Sequence, residues 1–359
     1  MDEKFFPLIS QLEGPILITG HTGFKGTWLS LLFKQLGARV IGLSLPPEAG
    51  SLYSKIGYRL TEADSYTDIR DLQALKSFIE PLRPSAIFHF AAQPLVLESY
   101  LKPRETFEVN VMGTMNLLQV EVECNSVKAV LIATTDKVYK NDGLAKAFNE
   151  DSELQGHDPY SSSKVAVEIA ADIWRNVIDG NLGPKIVTMR AGNVIGGGDQ
   201  SKDRLIPDLV RSIVSGKNLE LRNPSSTRPW QHVLDPLYGY IQYLEHLLSD
   251  GSYTKTLNFG PTDSALSVSE VIDVYYKAAN VAQNYIAGKR LSSLEAKFLE
   301  LDSSRAKEVL GWAPLWSQHE SVARTANWWG KVIENNDAAL TASNCDVMDF
   351  LEKVCGKES

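Results

Sequence analysis

Short, uninterrupted apolar runs recur through the first half of the chain: Ile16-Leu17-Ile18, Val40-Ile41-Gly42-Leu43, Ala86-Ile87-Phe88, Ala129 to Ala133, and Ile186-Val187. Runs of this length, closed by small or polar residues, read as buried strands. Between them lie Thr27 to Leu36, Leu72 to Pro81, a stretch opening at Asn110, and Val165 to Trp174, with the spacing of helices that bury one face. Strand and helix alternate from Ile16 to Met189, which predicts an α/β fold built on a parallel, doubly wound sheet.

Beyond Gly196 the pattern changes to shorter, turn-rich elements around Arg204-Leu205-Ile206-Pro207, Leu219-Glu220-Leu221 and Thr227-Arg228-Pro229-Trp230. These suit a smaller lobe closing over a ligand. Asn258-Phe259-Gly260-Pro261 reads as a strand returning to the sheet, and Ser267 as the N-cap of a helix reaching Ala279. The expected division is residues 1–194 for the sheet domain, with about 233–262 rejoining it, and 195–359 for the smaller lobe and tail. A chain of 359 residues is long enough for two lobes around a cleft.

The ends of the predicted strands carry the chemistry. Pro15 to Gly20 runs into Gly20-His21-Thr22-Gly23-Phe24-Lys25-Gly26 and then a helix. Gly20 and Gly23 let backbone approach a pyrophosphate at the helix N-terminus, and Gly26 permits packing on the sheet. A tight structural turn would use the same residues. The second strand ends at Ser44, without the acidic residue that usually holds an adenosine ribose, and Ser44 is taken to stand there. No arginine is placed for a 2′-phosphate, so NAD is preferred over NADP. Ala91 and Ala92, before Gln93-Pro94, are small enough to let a dinucleotide pass, whereas His89 inside its apolar run reads as a core residue.

After the strand at Ala129 comes Thr134-Thr135-Asp136-Lys137, and further on Pro159-Tyr160-Ser161-Ser162-Ser163-Lys164. Tyr160 and Lys164 share one helix face. An ammonium beside a phenol favours the phenolate, Thr135 can bond the same substrate hydroxyl, and the three could deprotonate an alcohol as hydride leaves its carbon. Asp136 and Lys137 would add an acid and a base, which elimination of water requires and alcohol oxidation alone does not. A surface turn with a solvated charge pair is the competing reading. Arg228, beside Trp230, and Arg222 suit a diphosphate through bidentate guanidinium bonds.

The totals narrow the setting. A formal charge of −8 without a long Lys/Arg cluster argues against a nucleic-acid surface, and no window approaches a membrane span. Cys124, Cys345 and Cys355 are too scattered for a disulfide framework or a metal cluster. The acidic start, soon broken by Pro7, lacks a targeting pattern, and a reducing, cytoplasmic setting is expected.

Assembled, these stretches resemble the extended short-chain dehydrogenase/reductases that modify nucleotide sugars. The marks are Thr-Gly-His-Thr-Gly-Phe-Lys-Gly at 19 to 26, Phe-His-Phe-Ala-Ala-Gln-Pro-Leu-Val at 88 to 96, Arg-Ala-Gly-Asn-Val-Ile-Gly-Gly-Gly-Asp at 190 to 199, and Arg-Pro-Trp-Gln-His-Val-Leu at 228 to 234. The resemblance implies a Rossmann-like sheet with a smaller C-terminal α/β substrate-binding lobe, NAD as cofactor, and a 4,6-dehydration with CDP-glucose as expected substrate. It implies that Gly20, Thr22, Gly23, Phe24, Lys25, Ser44, Asp68, Ile69, Ala91, Ala92, Gln93, Tyr160, Lys164 and Val194 hold the cofactor, Asp68 and Ile69 lying against adenine. Asn193, Arg204, Arg222 and Arg228 are expected on the substrate. Tyr160, Lys164 and Thr135 would serve C4 oxidation, Lys137 would take the C5 proton, and Asp136 would protonate the departing 6-hydroxyl. A homodimer or higher homo-oligomer is implied too, with residues 110–121 and 165–178 as the candidate dimer helices. Val138 replaces a cysteine frequent in such proteins, and the segment from Asn141 to Gln155 has no clear counterpart. An epimerase or decarboxylase would need no Asp-Lys pair, and a silent dinucleotide-binding protein would not need the intact Thr, Tyr and Lys.

Overall fold

In the computed structural model, which describes residues 6–57, 60–144, 146–177, 183–221, 223–249, 253–287 and 298–357, the apolar runs join in a seven-stranded parallel sheet. Its strands are β1 (Ile16–Thr19), β2 (Val40–Ser44), β3 (Ala63–Tyr66), β4 (Ala86–His89), β5 (Ala129–Ala133), β6 (Lys185–Ala191) and β7 (Thr256–Phe259). They lie side by side in the order β7-β6-β5-β4-β1-β2-β3. Chain direction across the sheet reverses between β1 and β4, where open α/β sheets leave a crevice at the strand ends. Register puts Thr19 beside Leu43 and His89, and Ala133 beside Met189, so the carboxyl ends form one row.

Both faces are covered, as a parallel sheet requires. Leu17, Ile41, Ile87, Val130 and Ile186 point to one side, against α2 (Leu72–Leu82), α3 (Gly113–Cys124) and α4 (Pro159–Val177). The alternate residues Ile18, Phe88, Leu131 and Val187 join the larger core with α1 (Phe24–Gln35) and α5 (Leu234–Leu248). Asp71 caps α2 by accepting from the Ala74 amide, as its position predicts.

Beyond the sheet, short parallel ribbons build the other wall of the cleft: Asn193–Ile195 pairs with Trp230–His232, and Leu219–Leu221 with Tyr285–Ala287. The helix α6 (Val268–Ala279) opens with a capping box between Ser267 and Glu270. Then α7 (Gln318–Glu334) packs on α6 and the Asn193–Ile195 and Trp230–His232 ribbon, and α8 (Ala339–Lys357) folds back on α1. Trp28 of α1 donates to the Gly197 carbonyl at 2.9 Å, a Cβ on Gly197 would strike the Trp328 ring, and Trp328 in turn donates to Ser343 at 3.0 Å. The loop after the ribbon at Asn193 is thus gripped by side chains of both α1 and α7.

Candidate active site

The row of strand ends forms one wall of a cleft of about 1270 Å³, and Arg204 to Asp208, Leu219 to Leu221 and Arg228 contribute to the other. On the β1–β2 side, Gly20 has φ +74°, and a Cβ there would lie 2.7 Å from the Ala91 nitrogen. Only glycine tolerates that conformation and that approach. Gly23 is the N-cap of α1, and no side chain caps this helix, so its first N–H groups and positive dipole end are available to an anion. Ala91 and Ala92 face the cleft across from this turn. Glycine bend, open helix end and small-residue wall fit a dinucleotide pyrophosphate.

The adenosine side departs from the simple expectation. Ser44 is buried and bonded to Thr22, with 2.8 Å between the hydroxyls, while Thr22 also donates to the Leu45 carbonyl at 3.0 Å. The two hydroxyls brace the β2 end against the glycine turn. Asp68 pairs with Arg70 at 2.6 Å, and its pKa is lowered chiefly by that hydrogen bond. Ile69 is buried beneath α3 against Gly113. Gln93 turns inward: its amide side chain ties Leu95 and Thr106, and its backbone N–H donates to Asn110 at 2.7 Å. Asn110 also donates to Ser163 on α4 at 2.9 Å, which fixes the helix bearing Tyr160 and Lys164. His89 lies between Thr19 and Thr114, and burial drives its pKa down to about 3, the state of a neutral core histidine.

Tyr160 and Lys164 stand on the first turns of α4, which Asp158 caps by accepting from the Ser161 amide. Both line the cleft together with Thr135 and Lys137. The Lys164 ammonium donates to the Ala133 carbonyl at 3.0 Å, and burial lowers its pKa to about 8 against the raising influence of Glu168. Burial pushes the Tyr160 phenol up to about 12, more than its Thr135 hydrogen bond and the Arg204 charge bring it down. A neutral phenol is what this environment favours.

Lys137 and Asp136 are joined at 2.9 Å, but they do not share an exposure. Lys137 faces the cleft with a third of its side chain open, whereas Asp136 is fully covered. Its Oδ1 accepts from Lys137 and, at 3.0 Å, from the Thr135 hydroxyl, while Oδ2 has no hydrogen-bond partner among the described residues and lies beside Gly192. Asp136 reaches the cleft through Thr135 and Lys137. Lys25 is close enough to sense Arg204, Asp136, Lys164 and Lys137, and burial followed by Arg204 lowers its pKa to about 8. It stands between the pyrophosphate end and the catalytic end.

In the opposite wall Arg204 pairs with Asp199 at 3.2 Å, and the buried Arg228 donates to the Thr227 carbonyl at 2.8 Å. Both line the cleft, as do Asn193 and Val194. Arg222 lies outside the described residues.

Residues 17–325 match the family described as GDP-mannose 4,6 dehydratase. The chain belongs to this family. Among the relatives of this 4,6 dehydratase family member, a CDP-glucose 4,6-dehydratase of Salmonella typhimurium is 39% identical over 344 residues, 94% of this chain and 96% of the relative. A solved dTDP-glucose 4,6-dehydratase from Streptomyces venezuelae, with NAD and TYD bound, is 26% identical with a TM-score of 0.74, covering 89% of this chain and 97% of that one. A UDP-glucose-4-epimerase from Stenotrophomonas maltophila shares the fold at 22% identity and a TM-score of 0.77, covering 90% of this chain and all of that one.

Within this dehydratase-family scaffold, one functional group escaped the sequence reading. Glu168, one turn after Lys164, is buried and accepts from Thr134 at 2.6 Å, Thr188 at 2.7 Å, and Arg190 at 2.8 and 3.0 Å. Arg190 continues to Tyr139, and Tyr139 donates to Asn258 of β7 at 2.6 Å. A glutamate in the apolar stripe of α4 was the available signal, since buried charges need partners.

Proposed function

We propose that this protein is an NAD-dependent nucleotide-sugar 4,6-dehydratase that converts CDP-glucose to CDP-4-keto-6-deoxyglucose. The observation that carries the reading is that Thr135, Lys137, Tyr160 and Lys164 line one cleft, with Asp136 bonded to Thr135 and Lys137 beneath it. NAD, when bound, would supply the hydride chemistry, taking hydride from C4 and giving it back at C6.

Gly20, Gly23 and the N-terminus of α1 receive the pyrophosphate, while Arg204 and Arg228 clamp the diphosphate of the sugar nucleotide. Tyr160, assisted by Thr135 and Lys164, takes the 4-hydroxyl proton. The resulting 4-keto group acidifies C5, and Lys137 removes that proton. Asp136 supplies the proton that leaves with the 6-hydroxyl as water. An epimerase or decarboxylase would use Tyr160 and Lys164 without eliminating water across C5 and C6, which gives the Asp-Lys pair no task.

The same reading places the enzyme in the cytoplasm as a homodimer. Ile169, Ile173 and Val177 recur every four residues on α4 with 54%, 51% and 68% exposure, beside the exposed Phe107 and Met112 of the neighbouring helix. A second copy of this face would cover them. Ile178, the last residue of the expected contact, lies outside the described residues. Incubation with NAD and a panel of CDP-, dTDP-, GDP- and UDP-hexoses tests the activity. The expected product is a 4-keto-6-deoxy sugar from CDP-glucose, seen as an alkali-dependent ultraviolet chromophore. No such product from any hexose, or an epimer retaining O6, would overturn the reading.

A further inference from the structure

We propose that Ser99 is a positioning residue for Tyr160, one arm of a clamp on the tyrosine's own backbone that sets how far its phenol stands from the wall where the cofactor lies. The inference rests on the dehydratase reading, because it acts through Tyr160. The first turn of α4 shows where the clamp closes. Pro159 has no N–H, the Ser161 amide donates to the Asp158 carboxylate at 2.9 Å, and the Ser162 amide donates to the Asp158 carbonyl at 2.9 Å. The Tyr160 amide is served from outside the helix instead. It donates to the Ser99 Oγ at 3.1 Å, across 61 positions of sequence.

Ser99 is fully buried in the short helix Val96–Leu101, and its hydroxyl donates to the Val96 carbonyl at 2.6 Å. A hydroxyl has one proton, so with that proton committed the oxygen is left to accept from Tyr160. On the other side of the same residue, the Tyr160 carbonyl accepts from the Ser163 hydroxyl at 2.6 Å, and Ser163 accepts from Asn110 at 2.9 Å. Asn110 in turn accepts from the Gln93 amide at 2.7 Å and donates to the Gln93 carbonyl at 3.1 Å. Ser163 and Asn110 are buried as well.

Both arms therefore lead back to one stretch, Gln93 to Ser99, which follows the small wall residues Ala91 and Ala92 and itself lines the cleft at Gln93, Val96 and Glu98. Cofactor wall and tyrosine backbone are held in one frame. Hydride leaves C4 for the cofactor as Tyr160 takes the O4 proton, so both partners must be correctly placed about the same carbon. A cap that served folding alone could sit on any amide of the turn; this one sits on the residue whose side chain reacts. Without Ser99 the amide loses its acceptor, the first turn loosens, and the phenol is displaced from the carbon that the cofactor faces.

The experiment compares Ser99→Ala, which removes the acceptor, with Ser99→Thr, which keeps it. Each variant is loaded with NAD and mixed with CDP-6-deoxyglucose, which offers a 4-hydroxyl but no leaving group at C6, so nicotinamide absorbance isolates the step that Tyr160 serves. Hydrogen exchange at the Tyr160 amide is followed in the same proteins without the sugar nucleotide. In Ser99→Ala the amide should exchange faster than in the wild type and cofactor reduction should slow on the order of 10²-fold, the scale of a slightly misplaced reacting group, while NAD affinity and melting temperature stay close to wild type. Ser99→Thr should restore both the protected amide and most of the rate. Ser163→Ala, which opens the opposite arm, should slow reduction in the same way, and it decides the matter if Ser99→Ala does not fold. A wild-type reduction rate in the alanine variant that folds, a slower rate matched by an equal loss of NAD affinity, or a threonine variant that regains the protected amide without the rate overturns the positioning role and leaves the dehydratase reading intact. If the wild type neither reduces NAD with this analogue nor yields a 4-keto product from any nucleoside diphosphate hexose, the reading itself fails and the positioning role falls with it.

Discussion

Exchanging Glu168 for glutamine keeps the shape of the side chain and removes its charge, at a point where the consequences can be counted. The carboxylate accepts from Thr134, Thr188 and twice from Arg190, all within 3.0 Å. Glutamine turns one acceptor into a donor facing donors, and leaves the buried Arg190 guanidinium without its anion. Removing one partner of a buried, hydrogen-bonded ion pair costs about 3–5 kcal/mol, the expected drop in unfolding free energy in a denaturant titration at neutral pH. Burial acts to raise the Glu168 pKa, but the Arg190 and threonine bonds hold it below the ordinary 4.5. Its stabilisation is therefore present above that range and lost as the pH falls through the lowered value, so variant and wild type should converge in acid. A second effect reaches the active site. Glu168 raises the pKa of Lys164, which burial has brought to about 8, so without Glu168 the ammonium is lost at lower pH. The alkaline limb of turnover should shift downward. A stability loss below about 1 kcal/mol, the scale of an exposed pair, together with an unmoved limb would refute the argument. The Glu168→Gln, Arg190→Gln double variant should lose less than the sum of the singles.

Three further outcomes are expected. Lys137→Ala should reduce its cofactor on addition of CDP-glucose yet release no 4-keto-6-deoxy product; stopped-flow absorbance with product assay checks this, and wild-type turnover would dismiss the assigned role. Arg228→Met should raise KM for the sugar nucleotide about tenfold or more, the worth of a charged hydrogen bond to phosphate, and an unchanged KM would place the diphosphate elsewhere. Glu121 is buried with both carboxylate oxygens unpartnered among the described residues, and burial pushes it up to about 8. Between its ordinary 4.5 and about 8 the unfolded chain ionises there while the folded chain stays neutral, so stability falls as pH rises, with a slope near 1.4 kcal/mol per unit. Glu121→Gln should flatten that slope in thermal melts, and a slope unaltered by the substitution would contradict it.

The sheet was legible because its central strands are buried on both faces and leave unbroken apolar runs. The edge strand β3, Ala-Asp-Ser-Tyr, left none: it alternates between partly buried and exposed, and its pairing with β2 is a backbone matter. The helix Leu205–Ser215 hid behind Pro207, which sits in its first turn where proline is tolerated. Strand-end position and local spacing directed attention to Thr135, Lys137, Tyr160 and Lys164, all of which line the cleft. Adjacency in sequence could not tell that Lys137 faces the cleft while Asp136 lies beneath it, because that depends on a 3₁₀ turn over Asp136–Val138. Nor could it show Lys164 turned to the Ala133 carbonyl, or burial outweighing its neighbours at Tyr160. Those balances depend on the solvent excluded by segments distant in the chain.

The grip on Gly197, held by Trp28 from the first helix and crowded by Trp328 from near the end of the chain, bears on how this enzyme could open and shut. Two halves riveted at that point cannot swing apart as rigid jaws without breaking the rivet. For the same reason the first part of the chain is not cleanly cut out at residue 194, since Trp28 would lose the Gly197 carbonyl that its indole donates to.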